Sequence, residues 1–445
     1  MILPNELFFC ALHNIVKPNY VLGSTHKKEE KMGNNERPLA GVKVIELATF
    51  IAVPAVGRIL ADMGAEVIKI ETAKGDNLRY TAPNEGRPAD PHEDTTIDLE
   101  NANKKGVVVD LRTEKGIEVL FKLLEDADVL LTNWRPQALE RKNLTYEDLK
   151  DRFPRLVYAS LTGFGEKGPD KDLPGFDFTA FFARSGWAGS LYQKGTVPTN
   201  LIPALGDHQG ALALTTGVLA ALYRQARTGK GEKVTTNLLH TAIWVQGFSI
   251  QAAQYGDEFG GMIFPFDRRD NQLPYQPAVE TKDGRFFQVM GPNYSLYFPK
   301  FMQAIGREDL IDDPVFSNQK AMIDAHRQGE LYDIIQNGFK QKTAAEWEPI
   351  LTELDIPYAL CKTYAEVVDD EQAWANDVFY KMDYPRGPKA LVRVPVTFEE
   401  TPLPPYEKAP LIGEHTEDVL ADLGYTPEEI KAMEDEGIVT QGERK

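Results

Sequence analysis

Short apolar runs alternate with amphipathic stretches along the first half of the chain. Val42–Leu47, Glu66–Ile70, Val107–Leu111, Val129–Leu131 and Leu156–Leu161 read as buried strands, and 54–62, 114–126 and 145–152 read as helices. Pro54 suits the first turn of its helix and Gly64 stops it. Strands separated by helices of this length predict βαβ units and a mostly parallel sheet, an α/β fold. Ligands of such sheets bind beyond the carboxyl ends of the strands. The loops of interest are therefore 48–54, 71–80, 132–137 and 162–177. A long apolar helix follows over 208–228, ending in Arg224, Arg227 and Gly229. Val234–Leu239 reads as a short strand or a helix start, and 241–254 as helical. Gly, Pro and Asp break the alternation over 256–280. Beyond them, a strand at 284–290 and helices at 295–305 and 319–341 predict a second, smaller α+β domain over 265–365. The tail from 375 holds Val392–Val396, several prolines and a helical region after Thr426.

Residues 1–38 break the pattern and read as a disordered or non-native extension, with Met32 close to a natural start. The early run Leu7–Leu12 has only Glu6 as a preceding charge, which argues against a signal peptide.

Composition narrows the function. Of 445 residues, 42% are hydrophobic and 26% charged, as in an ordinary globular protein. No apolar run approaches the ~18 residues that a membrane helix needs. A net charge of −18 argues against a non-specific nucleic-acid binder, and any anion must meet a local basic patch. Two cysteines, Cys10 and Cys361, cannot build a disulfide framework or a Cys-rich metal site, which fits a reducing cytoplasm. The chain lacks the dinucleotide fingerprint, a Walker A sequence, His-Glu-x-x-His, Cys-x-x-Cys and Gly-x-Ser-x-Gly. His240, in an apolar segment, reads as a core residue.

Other features carry candidate chemistry. Thr49–Pro54 is a small-residue turn whose helix N-terminus offers N–H groups to a phosphate; alone it reads as a plain connection. Asn101–Gly106 leads into a strand closed by Arg112, and Thr132-Asn133-Trp134-Arg135-Pro136 precedes Arg141. Both pair cations with planar or polar groups, which suits an adenine or a phosphate, and each taken singly could be solvated surface. Asp207, in Pro203–Gly210 before the apolar helix, reads first as an N-cap. A carboxylate held at a helix N-terminus is also what a nucleophilic carboxylate needs.

Together these stretches resemble the class III coenzyme A transferases, the family that includes formyl-CoA:oxalate and carnitine CoA-transferases. The resemblance runs from about residue 39 to the end and rests on Gly41–Glu71, Asn103–Arg112, Asn133–Arg141, Gly163–Asp177, Ala204–Gly210 and Gly413–Leu423. Asn133-Trp134-Arg135, Gly168–Asp177 and Gln372–Asp377 look like the 2-hydroxyacyl-CoA branch of amino-acid-fermenting anaerobes, the phenyllactate and 2-hydroxyisocaproate type. The resemblance implies a Rossmann-like large domain built from 39–235 and 375–445, a small domain at 265–365, and an interlocked homodimer. It implies Asp207 as the catalytic aspartate. It implies CoA contacts at Ile51, Ala52, Val109, Arg112, Asn133, Trp134, Arg135 and Arg141, and an acyl-side pair at Phe176 and Asp177. The long glycine loop of the formyl-CoA enzyme is missing, and Gly260-Gly261 is the nearby candidate for a cover.

The implied reaction moves CoA from an enoyl-CoA or short acyl-CoA to an (R)-2-hydroxy acid through a covalent aspartyl intermediate. The CoA thioester is a substrate, and no separate cofactor, metal, nucleic acid or membrane is expected. Phe176, Phe178, Phe181 and Phe182 could line a dry acyl pocket or fill ordinary core. An α-methylacyl-CoA racemase-like enzyme is the rival, but it needs a histidine where Phe176 stands, and Phe cannot exchange a proton. A transferase for a different small acid and a non-catalytic CoA-binding subunit are also compatible with these residues.

Overall fold

The computed structural model describes residues 36–255, 264–265 and 267–445. The extension read at 1–38 lies outside the described residues as far as residue 35, and so do Cys10, Met32 and Gly260-Gly261.

Six parallel strands form the main sheet: β1 (Lys43–Leu47), β2 (Glu66–Glu71), β3 (Lys105–Val109), β4 (Val129–Thr132), β5 (Val157–Thr162) and β6 (Lys233–Asn237). Their order is β3-β2-β1-β4-β5-β6, with Val44 opposite both Val67 and Val129. The C-terminal strand Val439–Thr440 adds antiparallel to the β3 edge. This is a doubly wound sheet, and its direction of winding reverses between β1 and β4.

Both faces of the sheet are covered, which explains the near-continuous apolar runs. Ile45, Leu47, Ile70, Val107 and Leu130 pack against α3 (Glu114–Glu125) and the C-terminal helices Thr416–Asp422 and Pro427–Asp435. Val44, Val67, Leu131, Ala159 and Leu161 face the opposite way, toward α1 (Ala52–Asp62) and the long helix α4 (Leu205–Thr228). A fully buried side chain of this size contributes about 1.5–3 kcal/mol. A third core, built from residues such as Tyr275, Phe298, Phe301 and Trp347, lies under a separate antiparallel sheet of Val279–Glu280, Phe286–Val289 and Tyr358–Leu360. No helix among the described residues is long and apolar enough to cross a membrane.

Several element boundaries differ from the sequence reading. The third strand runs over 105–109 rather than 107–111, because Asp110 turns the chain by accepting the Arg112 N–H at 2.9 Å. The helix expected at 145–152 is cut to Tyr146–Leu149, shortly before Pro154, which disfavours helical backbone at its neighbour. The 241–254 helix is instead α5 (Leu238–Val245) followed by Gly247–Ala252, and 319–341 splits at His326, whose φ is +54°.

A buried ionic cluster lies between β1, β2 and α1. Glu46 is fully buried and accepts from Lys69 at 3.0 Å and Lys104 at 2.8 Å. Its carboxylate fits there because residue 57 on α1 is Gly: a Cβ at that position would lie 2.0 Å from Glu46 Oε2. Lys69 also donates to the Ala48 carbonyl at 2.8 Å and lies 3.0 Å from Asp76 Oδ2, a charge contact without hydrogen-bond geometry. Lys104 donates to the Pro54 carbonyl and the Asn101 side chain. Burial, reinforced by Lys69, pushes the Lys104 ammonium down to about 8 against the pull of Glu46.

Candidate active site

A cleft of about 210 Å³ opens at the carboxyl ends of β1, β4 and β5, where the sheet reverses. Its floor is the β1–α1 turn, and that turn is held from several sides. Asn133 clasps it by donating to the Thr49 carbonyl at 2.7 Å and accepting the Thr49 N–H at 3.1 Å. Asp76 accepts the Phe50 N–H at 3.0 Å. These contacts fix Phe50 at φ +63°, a rare backbone region for an aromatic residue. The Phe50 ring meets the Phe176 ring edge-on, with centroids 5.7 Å apart.

Asp207 lines the cleft from the opposite side. It is not the N-cap suggested by its position in the sequence. The cap residue is Ala204 at φ +69° with no side-chain cap, so α4 starts earlier than expected and Asp207 sits inside its first turn. The Asp207 carboxylate makes no hydrogen bond among the described residues. Asp177 lies next to it at the start of a π-helical segment, Asp177–Ala183. Its buried carboxylate accepts the Phe178 N–H at 2.7 Å. Gly206 allows this approach, since a Cβ there would lie 2.9 Å from Asp177 Cβ and 2.7 Å from Phe181 Cβ.

Burial disfavours the charge on both carboxylates. Burial, aided by the Asp177 charge, pushes Asp207 up to about 7, and His208 opposes the shift. Burial also raises Asp177, but the amides of Phe178, Ala204 and Gly206 draw it back. The Ala204 and Gly206 amides favour the anion from nearby without hydrogen-bond geometry, since Asp177 Oδ2 has no partner. His208 Nε2 sits 2.9 Å from Glu100 Oε1, on α2 (Thr95–Asn101). Burial pulls His208 down, but Glu100 together with Asp207 and Asp177 outweighs it and the imidazole titrates above its ordinary value. Sequence reading did not single out this pair, whose members are 108 positions apart; a histidine directly after the aspartate was the available signal.

The remaining expected site residues fall into groups. Ile51, Ala52, Asn133, Arg135 and Phe176 line the cleft with Asp207. Arg135 is exposed and has no ion-pair partner among the described residues. Asn133 is committed to Thr49, so its amide shapes the turn. Val109 is 3% exposed within the core, and Trp134 packs partly against that core. Arg112 lies on the surface, paired with Asp110 at 2.7 Å, and Arg141 is exposed beyond the helix Pro136–Glu140. The expectation that Asn101–Gly106 presents its cations to a ligand is corrected: Lys104 is buried on Glu46, and Lys105 pairs with Glu66 at 2.5 Å. Of the aromatic stretch, Phe181 and Phe182 are core, while Phe176 and Phe178 are exposed.

A doubly wound sheet with a ligand-sized cleft at its reversal point, edged by the Asp207 carboxylate and the Phe50 and Phe176 rings, defines an α/β enzyme. The chain belongs to CoA-transferase family III, whose family model matches residues 39–416. It is 51% identical over 415 residues to the cinnamoyl-CoA:phenyllactate CoA-transferase of Clostridium sporogenes, covering 93% of this chain and 100% of that protein. It is 42% identical over 402 residues to the (R)-2-hydroxy-4-methylpentanoate CoA-transferase of Clostridioides difficile, covering 90% and 99%. Among solved structures, a CAIB/BAIF family protein from Brucella suis superposes with a TM-score of 0.72 at 29% identity, covering 87% of this chain and 99% of that one.

Proposed function

We propose that this CoA-transferase moves CoA from an enoyl-CoA or short acyl-CoA to an (R)-2-hydroxy acid in amino-acid fermentation, with Asp207 as the nucleophile. The supporting observation is an accessible carboxylate, free of hydrogen bonds among the described residues, at the mouth of a switch-point cleft. An Asp207 oxygen attacks the thioester carbonyl carbon, the carbon–sulfur bond breaks, and CoA leaves as a thiolate. The thiolate then attacks the aspartyl carbonyl of the resulting anhydride, releasing the first acid and leaving an aspartyl-CoA thioester. The incoming carboxylate attacks that thioester, freeing the thiolate, and the thiolate finally takes the new acyl group and restores Asp207. The N-terminus of α1, at Ile51 and Ala52, gives uncapped amides to CoA. Arg135, and outside the cleft Arg112 and Arg141, give cations to its nucleotide and phosphates, with Trp134 flanking, whereas the core position of Val109 leaves its side chain no part in the contact. Phe176 and Asp177 border the acyl group.

The substrate class draws support from the two Clostridium-type relatives, both named for hydroxy-acid CoA transfer. An acceptor screen with cinnamoyl-, isocaprenoyl-, acetyl- and propionyl-CoA donors tests it: (R)-2-hydroxy acids are expected to outrun unsubstituted acids at least tenfold in kcat/KM. Equal rates would leave only a general acid transferase. Proton exchange at the acyl α-carbon in D2O is expected to be absent without an acceptor acid; rapid exchange would favour the racemase-like reading.

We also infer a homodimer, in which 39–235 and 375–445 form the large domain and 265–365 the small one. Trp244, Phe248 and Tyr223, at 80%, 83% and 67% exposure, lie on or just after α4 and α5, more aromatic surface than a lone subunit usually shows. Light scattering is expected to give twice the chain mass at micromolar concentration, and a monomer there would refute the dimer.

A further inference from the structure

Glu100 is a carboxylate at 1% exposure, and its second oxygen has no hydrogen-bond partner. A buried anion of this kind needs a cation. Lys104, whose charge acts on it, has its ammonium taken up by Glu46, Pro54 and Asn101. The contact that remains is His208 at 2.9 Å, the residue directly after Asp207 in the first turn of α4. The imidazole is 40% exposed, so it can take up its proton from solvent. We propose that the Glu100–His208 pair is a positioning element that keeps a positive charge beside Asp207, favouring ionisation of the attacking carboxylate against burial and its neighbour Asp177. This rests on the reading of Asp207 as the nucleophile and assigns what favours that nucleophile's ionised form.

The groups facing His208 are Glu100 on α2, Asp207 on its own helix and Asp177 on the π-helical segment. All three are acidic, so the imidazolium is the local compensation for them. Its loss raises the pH at which Asp207 ionises, because an opposite charge at close range favours the charged form.

The test is the pH profile of kcat/KM for the acyl-CoA donor. In His208→Asn the acid limb is expected to move up by roughly one to two pH units. Rates then fall about 10- to 100-fold at the acid end and stay within a few-fold on the alkaline plateau. His208→Asn leaves Glu100 uncompensated, so the double variant Glu100→Gln/His208→Asn is expected to bring the limb part of the way back. The neutral double variant also serves if the single one folds poorly. An equal loss at every pH, with the limb unmoved in folded variants, would overturn the proposal and leave a packing role. A wild-type profile in either variant would overturn it too. Wild-type protein that moves no CoA would sink the Asp207 reading itself, whereas wild-type transfer with an unmoved limb sinks this inference alone.

Discussion

Asp207→Ala is expected to cut CoA transfer by about a thousandfold or more, roughly 4 kcal/mol of transition-state stabilisation, while the protein still binds CoA. The separation follows from geometry. The turn, amides and cations assigned to CoA lie at the ends of β1, β3 and β4, on α1 and beside the helix Pro136–Glu140, and none of them makes a hydrogen bond or ion pair to Asp207. Steady-state transfer and equilibrium binding of CoA measure the two effects, and transfer at the wild-type rate would end the nucleophile assignment. During turnover, hydroxylamine is expected to convert Asp207 to its hydroxamate with release of the acid or CoA, and mass spectrometry without it to show the CoA adduct on the peptide carrying Asp207, in wild type and not in the variant.

The same substitution has a signature in stability. Asp207 titrates near 7 in the folded protein, above its ordinary carboxylate value, because burial and Asp177 disfavour its charge. A group raised in this way binds more protons folded than unfolded between those two values. The native state therefore loses stability as pH rises from about 4 to about 7. Asp207→Ala lacks this contribution, so its melting temperature relative to wild type is expected to increase across that window. A difference that stays flat with pH would contradict the raised ionisation of buried Asp207. A side chain that costs stability where it stands, and makes no compensating hydrogen bond, is one that function retains.

Much of the sheet was legible because both of its faces are buried. Val44, Ile45 and Leu47 are apolar whichever face they serve, and the strand runs stand out between helices. The family resemblance located the loops around Asn133, Phe176 and Asp207, and these three residues do meet at one cleft. What stayed hidden depends on backbone geometry or on distant pairs. Ala204 adopts a left-handed conformation that its residue type does not advertise, and so α4 starts ahead of the expected cap at Asp207. Lys104 read as a surface cation, although its partner Glu46 lies 58 positions away. The Glu100–His208 contact and the C-terminal strand beside β3 are likewise long-range, with no local pattern to mark them.

Lys69→Met is expected to be the most damaging change outside the cleft. Lys69 is fully buried, and the charges of Glu46, Asp76 and Glu71 keep it protonated against the pull of burial. Methionine fills similar volume but leaves Asp76 without its counter-charge, and breaking a buried pair from one side costs about 3–5 kcal/mol. At about 2–4 °C per kcal/mol, the large-domain melting temperature should fall by roughly 10 °C. The damage extends to function because Asp76 is the residue that holds the Phe50 N–H, and Lys69 itself holds the Ala48 carbonyl. Once that charge is unpaired, the strained turn at Phe50 loses its anchor and the floor of the cleft shifts. The KM for the acyl-CoA donor is therefore expected to rise about tenfold, with a smaller change in kcat, since Asp207 stands on a different helix. Lys69→Met/Asp76→Asn removes both charges and keeps an oxygen to accept the Phe50 N–H, so it should recover part of both losses. If Lys69→Met melts and binds donor like wild type, the ionic cluster does not hold the turn, and the cleft owes its shape to Asn133 and packing alone.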